Sequence, residues 1–294
     1  MNSPSDYELI DFGGGRKLES LSGYVIDRPS PAAATAAKAF PTLWNNAHAS
    51  FDEQQQRWTF QRPWPIDLYI RGDRFRLPLR PTPYGHIGAF PEQRPNWQWL
   101  TQTAAQICQQ RGEQDPPLPP LQAINLFAHT GGSTLALAVA NAAVVHLDAA
   151  KPNVAAAREA AVASGLNQAA IRYIVDDASQ FTARELRRQR RYDMIVVDPP
   201  AYGHSSAGKA WRIQRDLWPL LDQLSQLSNL RLGAMLITGH TEGIDQHAVT
   251  NYLRQQSPLS AIRDDLRFSG GRSTLTDRSG RKLDAGFYVR VNWQ

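Results

Sequence analysis

Four clusters in this 294-residue chain combine residue types that could do chemistry. The segment Asn125-Leu-Phe-Ala-His-Thr-Gly-Gly-Ser-Thr134 closes an apolar run with a glycine turn and opens a helical pattern. Glycines at such a turn let backbone approach a ligand, while the N–H groups of the first helical turn stay unpaired. The segment lacks the G-x-G-x-x-G spacing of dinucleotide sites, and a glycine turn is also how many strands are wired to helices. Asp148 ends the next apolar run, where a carboxylate can accept two hydrogen bonds from ribose hydroxyls. Asp177 follows Ile171–Val175 and is placed to receive an adenine amino group. Asp198-Pro-Pro-Ala-Tyr202 ends a fourth run. Its prolines stiffen the turn and withhold N–H donors. A fixed carboxylate, an outward carbonyl and an aromatic ring remain, a clamp for a planar amine. Each acid alone would serve equally as a helix N-cap. In series with the glycine turn they favour an adenosyl ligand.

These residues need a scaffold that brings successive strand ends to one edge. The runs Gln122–Phe127, Val144–Asp148, Ile171–Val175, Tyr192–Asp198 and Ala234–Thr238 read as buried strands. Helical spacing of Leu, Val and Ala occupies Ser133–Asn141, Lys151–Ser164, Ser179–Arg190 and Ala210–Leu227. Pro152 and Gly165 mark the start and stop of the second of these helices. The alternation predicts an α/β fold with a doubly wound, mainly parallel, seven-stranded sheet, and such sheets bind ligands at the carboxyl ends of their strands. Ala261–Phe268 and Phe287–Asn292 read as two late strands, joined by a polar Gly/Ser/Arg loop, that close the sheet as an antiparallel edge. Residues 1–115 form a separate small β-rich region, with a hairpin about Gly72-Asp73, ahead of a catalytic domain at 116–294. A stiff proline run ending at Pro120 links them. Gly13-Gly-Gly15 reads as a turn.

The set N-L-F-A-H-T-G-G, H-L-D-A, V-D-D-A and D-P-P-A-Y, in this order, resembles the class I S-adenosylmethionine-dependent methyltransferases. Within them it is similar to the bacterial large-subunit ribosomal RNA methyltransferases with F-x-x-T-G-G and D-P-P-x-F/Y motifs. The likeness runs from about Phe90 to Thr241 and includes the lead-in Gly85-His-Ile-Gly-Ala-Phe-Pro-Glu-Gln93. It implies a Rossmann-like fold and S-adenosyl-L-methionine as cofactor. By position, Phe127, His129, Thr130, Gly131 and Gly132 would hold the methionine moiety. Asp148 with Ala149 would take the ribose and Asp177 with Ala178 the adenine, while Asp198 would border the cofactor. Asp198, Pro199 and Pro200 would face the methyl acceptor, with Tyr202 flanking it. The resemblance further implies methylation of a nucleobase nitrogen, with ribosomal RNA as partner. His129 stands where Tyr is common in this branch, and Ala201 separates D-P-P from its aromatic, so exocyclic amine and ring nitrogen both stay open as targets. Relatives that methylate cytosine C5 need a thiolate, and Cys108 lies far upstream of the fourth motif. Methylation of a protein or small molecule, or RNA binding without catalysis, would keep the same fold.

Composition narrows the partner. Net charge is +5, and 27 arginines stand against five lysines. Guanidinium groups fork onto phosphates and stack on bases, although a GC-rich genome would also favour arginine. From Trp58 to Trp99, nine aromatic residues interleave with Arg62, Arg71, Arg74, Arg76, Arg80 and Arg94, a pattern suited to unpaired RNA and equally to the core of a small β-region. The arginines between Arg184 and Arg191 suit a solvated helix C-terminus. Gly203-His-Ser-Ser-Ala-Gly-Lys-Ala210 has the spacing of a phosphate loop but lacks its hydroxyl. It reads instead as a loop over the cleft, bringing Lys209, Trp211 and Arg212 to an anionic substrate. One cysteine excludes a disulfide scaffold. No metal-ligand set, secretory leader or membrane-length apolar run is visible. A soluble cytoplasmic enzyme is expected.

Overall fold

The computed structural model describes residues 6–113, 119–203, 210–241 and 243–294. Most of the proline run and of the Gly203–Lys209 loop therefore lies outside the described residues. Two units are distinguished: Met1–Gly72 with Arg76–Arg94 and Ser273–Ala285, and Asp73–Phe75 with Pro95–Arg272 and Gly286–Gln294.

In the first unit, β1 (Glu8–Gly13), β2 (Arg16–Leu21), β3 (Tyr24–Pro29), β4 (Ala49–Asp52) and β5 (Arg57–Phe60) form a sheet in that order. The glycine turn joins β1 to β2 as expected, with Gly14 and Gly15 at φ 60° and 76°. Alternate burial along β3 sets one face against a core that includes Ile10, Leu18 and Trp44. A charged cluster is buried with it. Glu19 takes bonds from Arg28, from the Tyr7 hydroxyl at 2.8 Å and from Lys17 at 3.1 Å. Burial pushes the Glu19 carboxyl up, but Arg28 and Lys17 outweigh it and hold the group at about 2. Strands β6 (Tyr69–Arg71) and β7 (Arg76–Pro78) make the hairpin expected about Gly72-Asp73.

The second unit carries β8 (Gln122–Leu126), β9 (Ala143–Asp148), β10 (Ile171–Val175), β11 (Met194–Val197), a short ribbon β12 (Tyr202–Gly203) with β13 (Trp211–Arg212), then β14 (Gly233–Gly239) and the greater part of β15 (Arg267–Thr276) and β16 (Lys282–Trp293), whose joined ends from Ser273 to Ala285 count with the first unit. Its seven-stranded sheet has the order β10-β9-β8-β11-β14-β16-β15. The first five strands pair in parallel, and β16 runs antiparallel to β14. Every residue of β11 and β14 is buried, as expected of parallel strands covered on both faces. The helices are α1 (Arg94–Gly112), α2 (Gly132–Ala138), α3 (Lys151–Ala163), α4 (Ala178–Arg187), α5 (Ile213–Leu227) and α6 (Gln246–Gln255). Leu217, Leu220, Leu221 and Leu224 of α5 lie in one core with Ile195, Val197 and Ile237 of the sheet.

One expectation is corrected. Of Ala261–Phe268 only Arg267 and Phe268 are strand: the stretch begins in a 3-10 turn (Pro258–Ile262), and β15 runs on to Thr276 through the residues read as a polar loop. An edge strand exposes one face and one backbone edge, so it needs no apolar alternation to mark it. The compact units part at Arg94/Pro95, and α1 goes with the seven-stranded sheet. Its Leu100, Ala104 and Ile107 are buried, and Arg111 pairs at 2.7 Å with buried Asp193.

Candidate active site

Strand β8 continues to β9 on one side and adjoins β11 on the other, so the chain reverses direction across the sheet between β8 and β11. At that switch point the loops leaving two neighbouring strands diverge and open a crevice. The glycine turn after β8 and the Asp198-Pro-Pro turn after β11 both stand there.

The turn after β8 is tightly wound. Phe127, His129 and Gly131 have φ of 54°, 47° and 91°. Two non-glycine residues in the left-handed region are costly unless their surroundings hold them. Here the Ala128 amide donates to the Leu147 carbonyl (3.0 Å) and the His129 amide to Asp148 Oδ2 (2.8 Å). Asp148, almost fully buried, also accepts from the Ala150 amide (2.8 Å) and from Asn153 Nδ2 (3.1 Å) through Oδ1. A carboxylate has about four acceptor sites, so Asp148 can clasp the turn and still receive a ligand hydroxyl at Oδ2. Ala149 follows as an exposed residue.

Both glycines answer first to packing. A Cβ on Gly132 would meet the Trp97 indole at 2.7 Å, and one on Gly131 would meet Ala157 Cβ at 3.1 Å in a left-handed backbone. Below the turn lies a polar chain that sequence reading missed. Asn125 Nδ2 donates to Thr134 Oγ1 (3.0 Å), which also bonds His146 Nδ1 (2.9 Å). His146 is fully buried, its Nε2 has no hydrogen-bond partner, and burial pushes it down to about 4. Asn125 and His146 each interrupt an apolar strand run, which was the available signal.

Asp177 is the N-cap of α4, accepting the Gln180 amide at 3.0 Å. Its neighbour Asp176 pairs with Arg184, and the Asp176 amide donates to the Asp148 carbonyl at 3.2 Å. The carboxyl ends of β9 and β10 thus meet, with Asp177 half-buried beside buried Ala178. The N-cap bond uses only one acceptor site of Asp177.

Asp198 is half-buried and Pro199 buried, whereas Tyr202 is 72% exposed. The turn is braced from the far side. Trp211 Nε1 donates to the Pro200 carbonyl (2.8 Å), the Ile213 amide donates to the Ala201 carbonyl (3.1 Å), and β12 pairs with β13. Trp211 is itself buried, with its ring 4.9 Å from that of Phe127. This corrects its expected place on an anionic substrate: it is the internal strut between the two loops of the crevice. Arg212 is exposed, and Lys209 lies outside the described residues.

His129 joins the two halves. Burial pushes its imidazole below the usual range, while the charges of Asp148 and Asp198 pull the other way. Its Nδ1 lies 3.2 Å from Thr130 Oγ1. Glycine turn, Asp148, His129 and Asp198 bring hydroxyl acceptors and carboxylate charge to one crevice, a chemistry that suits an adenosyl sulfonium. Among the described residues no group of metal-ligating side chains is found and no helix is long and apolar enough to cross a membrane. A cavity of about 540 Å³ among Gln106, Gln110, Leu232 and Trp293 lies at the amino end of β14 and contains none of these residues.

No family model matches the chain. It is 27% identical over 170 residues to two proteins named ribosomal RNA large subunit methyltransferase I, from Aeromonas salmonicida and Aeromonas hydrophila, an alignment covering 57% of this chain. The aligned part spans 42% of the length of those relatives, less than half. Among solved structures it is similar to a SAM-dependent methyltransferase from Agrobacterium tumefaciens, with TM-score 0.83 and 29% identity over 99% of this chain and 90% of that one. A methyltransferase solved in complex with SAH shares the fold at TM-score 0.72 and 15% identity, covering 99% of this chain and 76% of the other.

Proposed function

We propose, for a chain that has the class I S-adenosylmethionine-dependent methyltransferase fold and resembles the large-subunit ribosomal RNA enzymes, that it methylates a nucleobase nitrogen of ribosomal RNA in the cytoplasm. The observation that carries this reading is the meeting of the Asp148-clasped turn and the braced Asp198-Pro-Pro turn at the switch point of the sheet. S-adenosylmethionine, when bound, supplies a methyl group already activated on sulfur. What remains for the protein is to align nucleophile, methyl and sulfur.

In this reading Phe127, His129, Thr130, Gly131 and Gly132 surround the methionine moiety. Asp148 and Ala149 border the ribose, and Asp177 and Ala178 the adenine. Asp198 accepts an N–H of the acceptor base and turns the nitrogen lone pair toward the methyl carbon. As the N–C bond forms and the C–S bond breaks, the nitrogen becomes cationic, and a carboxylate already in place stabilises that charge. Its surplus proton passes to an Asp198 oxygen. The Pro199 carbonyl is the second acceptor, since the Pro200 and Ala201 carbonyls already hold Trp211 and Ile213. Tyr202 lies open for a base to stack on.

The test is transfer of labelled methyl from S-adenosylmethionine to RNA of a strain lacking the gene, followed by mass spectrometry of the nucleosides. The expected result is one N-methylated nucleoside, lost with Asp198→Ala while calorimetric affinity for S-adenosylhomocysteine stays within a few fold. Label entering protein or small molecules in place of RNA, or a fully active Asp198→Ala, overturns the assignment.

A further inference from the structure

Two segments of the first unit, residues 54–66 and 79–91, contain Arg57, Arg62, Arg80 and His86 and not one carboxylate. They are laid against each other by their tryptophans. Trp58 Nε1 donates to the Thr82 carbonyl (2.8 Å) and Trp64 Nε1 to the Leu79 carbonyl (3.0 Å). The two indoles meet edge to face at 6.0 Å, and Tyr24 continues from Trp64 at 5.3 Å. Phe51, fully buried, closes the row from beneath Trp58.

The row does not stop in the core. Phe60 lies stacked on Trp58 at 6.2 Å and 17°, yet is 44% exposed, and Tyr84 on the neighbouring turn is 76% exposed. Rings serving only as core gain most by full burial. A rigid ring braced by another and left open to water has instead the form of a stacking platform, and any nucleobase offers it a π-face. The charge around it agrees. Arg62 stands close enough to Tyr24 and His48 for its charge to bear on both groups. Of the acids that border the two segments (Asp52, Glu53, Asp67 and Glu92), Asp52 turns Oδ1 onto the amides of Gln54 and Gln55, 2.9 Å each.

We propose that this face of the first unit, Phe60 and Tyr84 flanked by Arg62 and Arg80, stacks the bases of an unpaired RNA segment. The choice of RNA rests on the function proposed above. The surface is read out by binding without cofactor, so its failure is distinguishable from failure of the methyl-transfer reading. The full chain is titrated into a labelled single-stranded RNA of about 12 nucleotides, comparable to one platform's site size. Phe60→Ala with Tyr84→Ala should weaken binding at least about tenfold, given the usual worth of base–aromatic stacking. Thermal midpoint and affinity for S-adenosylhomocysteine should not move. Phe60→Trp should retain binding and Phe60→Leu should lose it, which separates stacking from mere apolar bulk. Arg62→Gln with Arg80→Gln should flatten the slope of log affinity against log salt by up to about 1.4, at roughly 0.7 per phosphate contact on single strands. Affinity unchanged in the Phe60/Tyr84 variant, or a defect confined to binding of anionic lipid vesicles, overturns the proposal.

Discussion

Asp148 and Asp198 are both carboxylates at strand ends, but their surroundings divide their work. Asp148 is committed to three protein donors and so shapes the turn that surrounds a ligand. Removing it as Asp148→Ala should weaken S-adenosylhomocysteine binding by about 10- to 100-fold, the worth of a charge-assisted hydrogen bond. Calorimetric titration measures this, and an unchanged affinity would show that the ribose is held elsewhere. His146 makes a separate prediction. Its proton affinity falls from 6.5 when unfolded to about 4 when folded. Between these values the unfolded chain binds the extra proton, so stability is full above pH 6.5 and falls as pH drops toward 4. The loss is on the order of 3 kcal/mol, since a tenfold change in proton affinity is worth about 1.4 kcal/mol. Urea midpoints measured across that window should slope with pH in the parent, and the slope should flatten in His146→Gln.

At the scale of elements, the glycine turn after β8 depends on a helix that the motif does not include. Trp97 of α1 sits where a side chain on Gly132 would go, and also packs edge to face on Phe75 at 5.6 Å. Gly132→Ala should therefore destabilise the unit by about 1–3 kcal/mol, the usual cost of overpacking. Adding Trp97→Leu should return part of that loss, and a thermal double-mutant cycle would read the coupling. Strictly additive effects would mean that the two do not share the space. The ribbon of β12 and β13 is a second such support. Trp211→Phe keeps a ring against Phe127 but removes the donor to the Pro200 carbonyl. Methyl transfer should slow with little change in cofactor affinity, because only the acceptor side of the crevice loses its brace.

The two units carry different acid sensitivities. Glu19, in the first, is held at about 2 by Arg28 and Lys17 against a usual 4.5, so its contribution is complete above pH 4.5 and disappears only as pH falls through about 2. His146, in the second, already costs stability below pH 6.5. On acidification the second unit should loosen first. Peptide-resolved hydrogen exchange at pH 5 and pH 4 should show β8, β9 and α2 losing protection while β1–β3 keep theirs, and simultaneous loss would contradict this ordering.

Much of the seven-stranded sheet was legible in the sequence because parallel strands covered on both faces must be continuous apolar runs, and Met194–Val197 and Ala234–Thr238 could be little else. The ends of those runs fixed where the glycine turn, Asp148, Asp177 and Asp198 stand along the chain. Tertiary structure decided what periodicity cannot carry. It made an edge strand of the polar Arg267–Thr276, since such a strand needs only one buried face. It turned Trp211 inward as a strut, because a tryptophan beside Phe127 gains more from burial than from solvent. It assigned Gly132 to Trp97, which lies 35 positions earlier in the chain. Local sequence states which residues can pair with their neighbours. Which distant side chain claims a given space is settled only when the chain closes on itself.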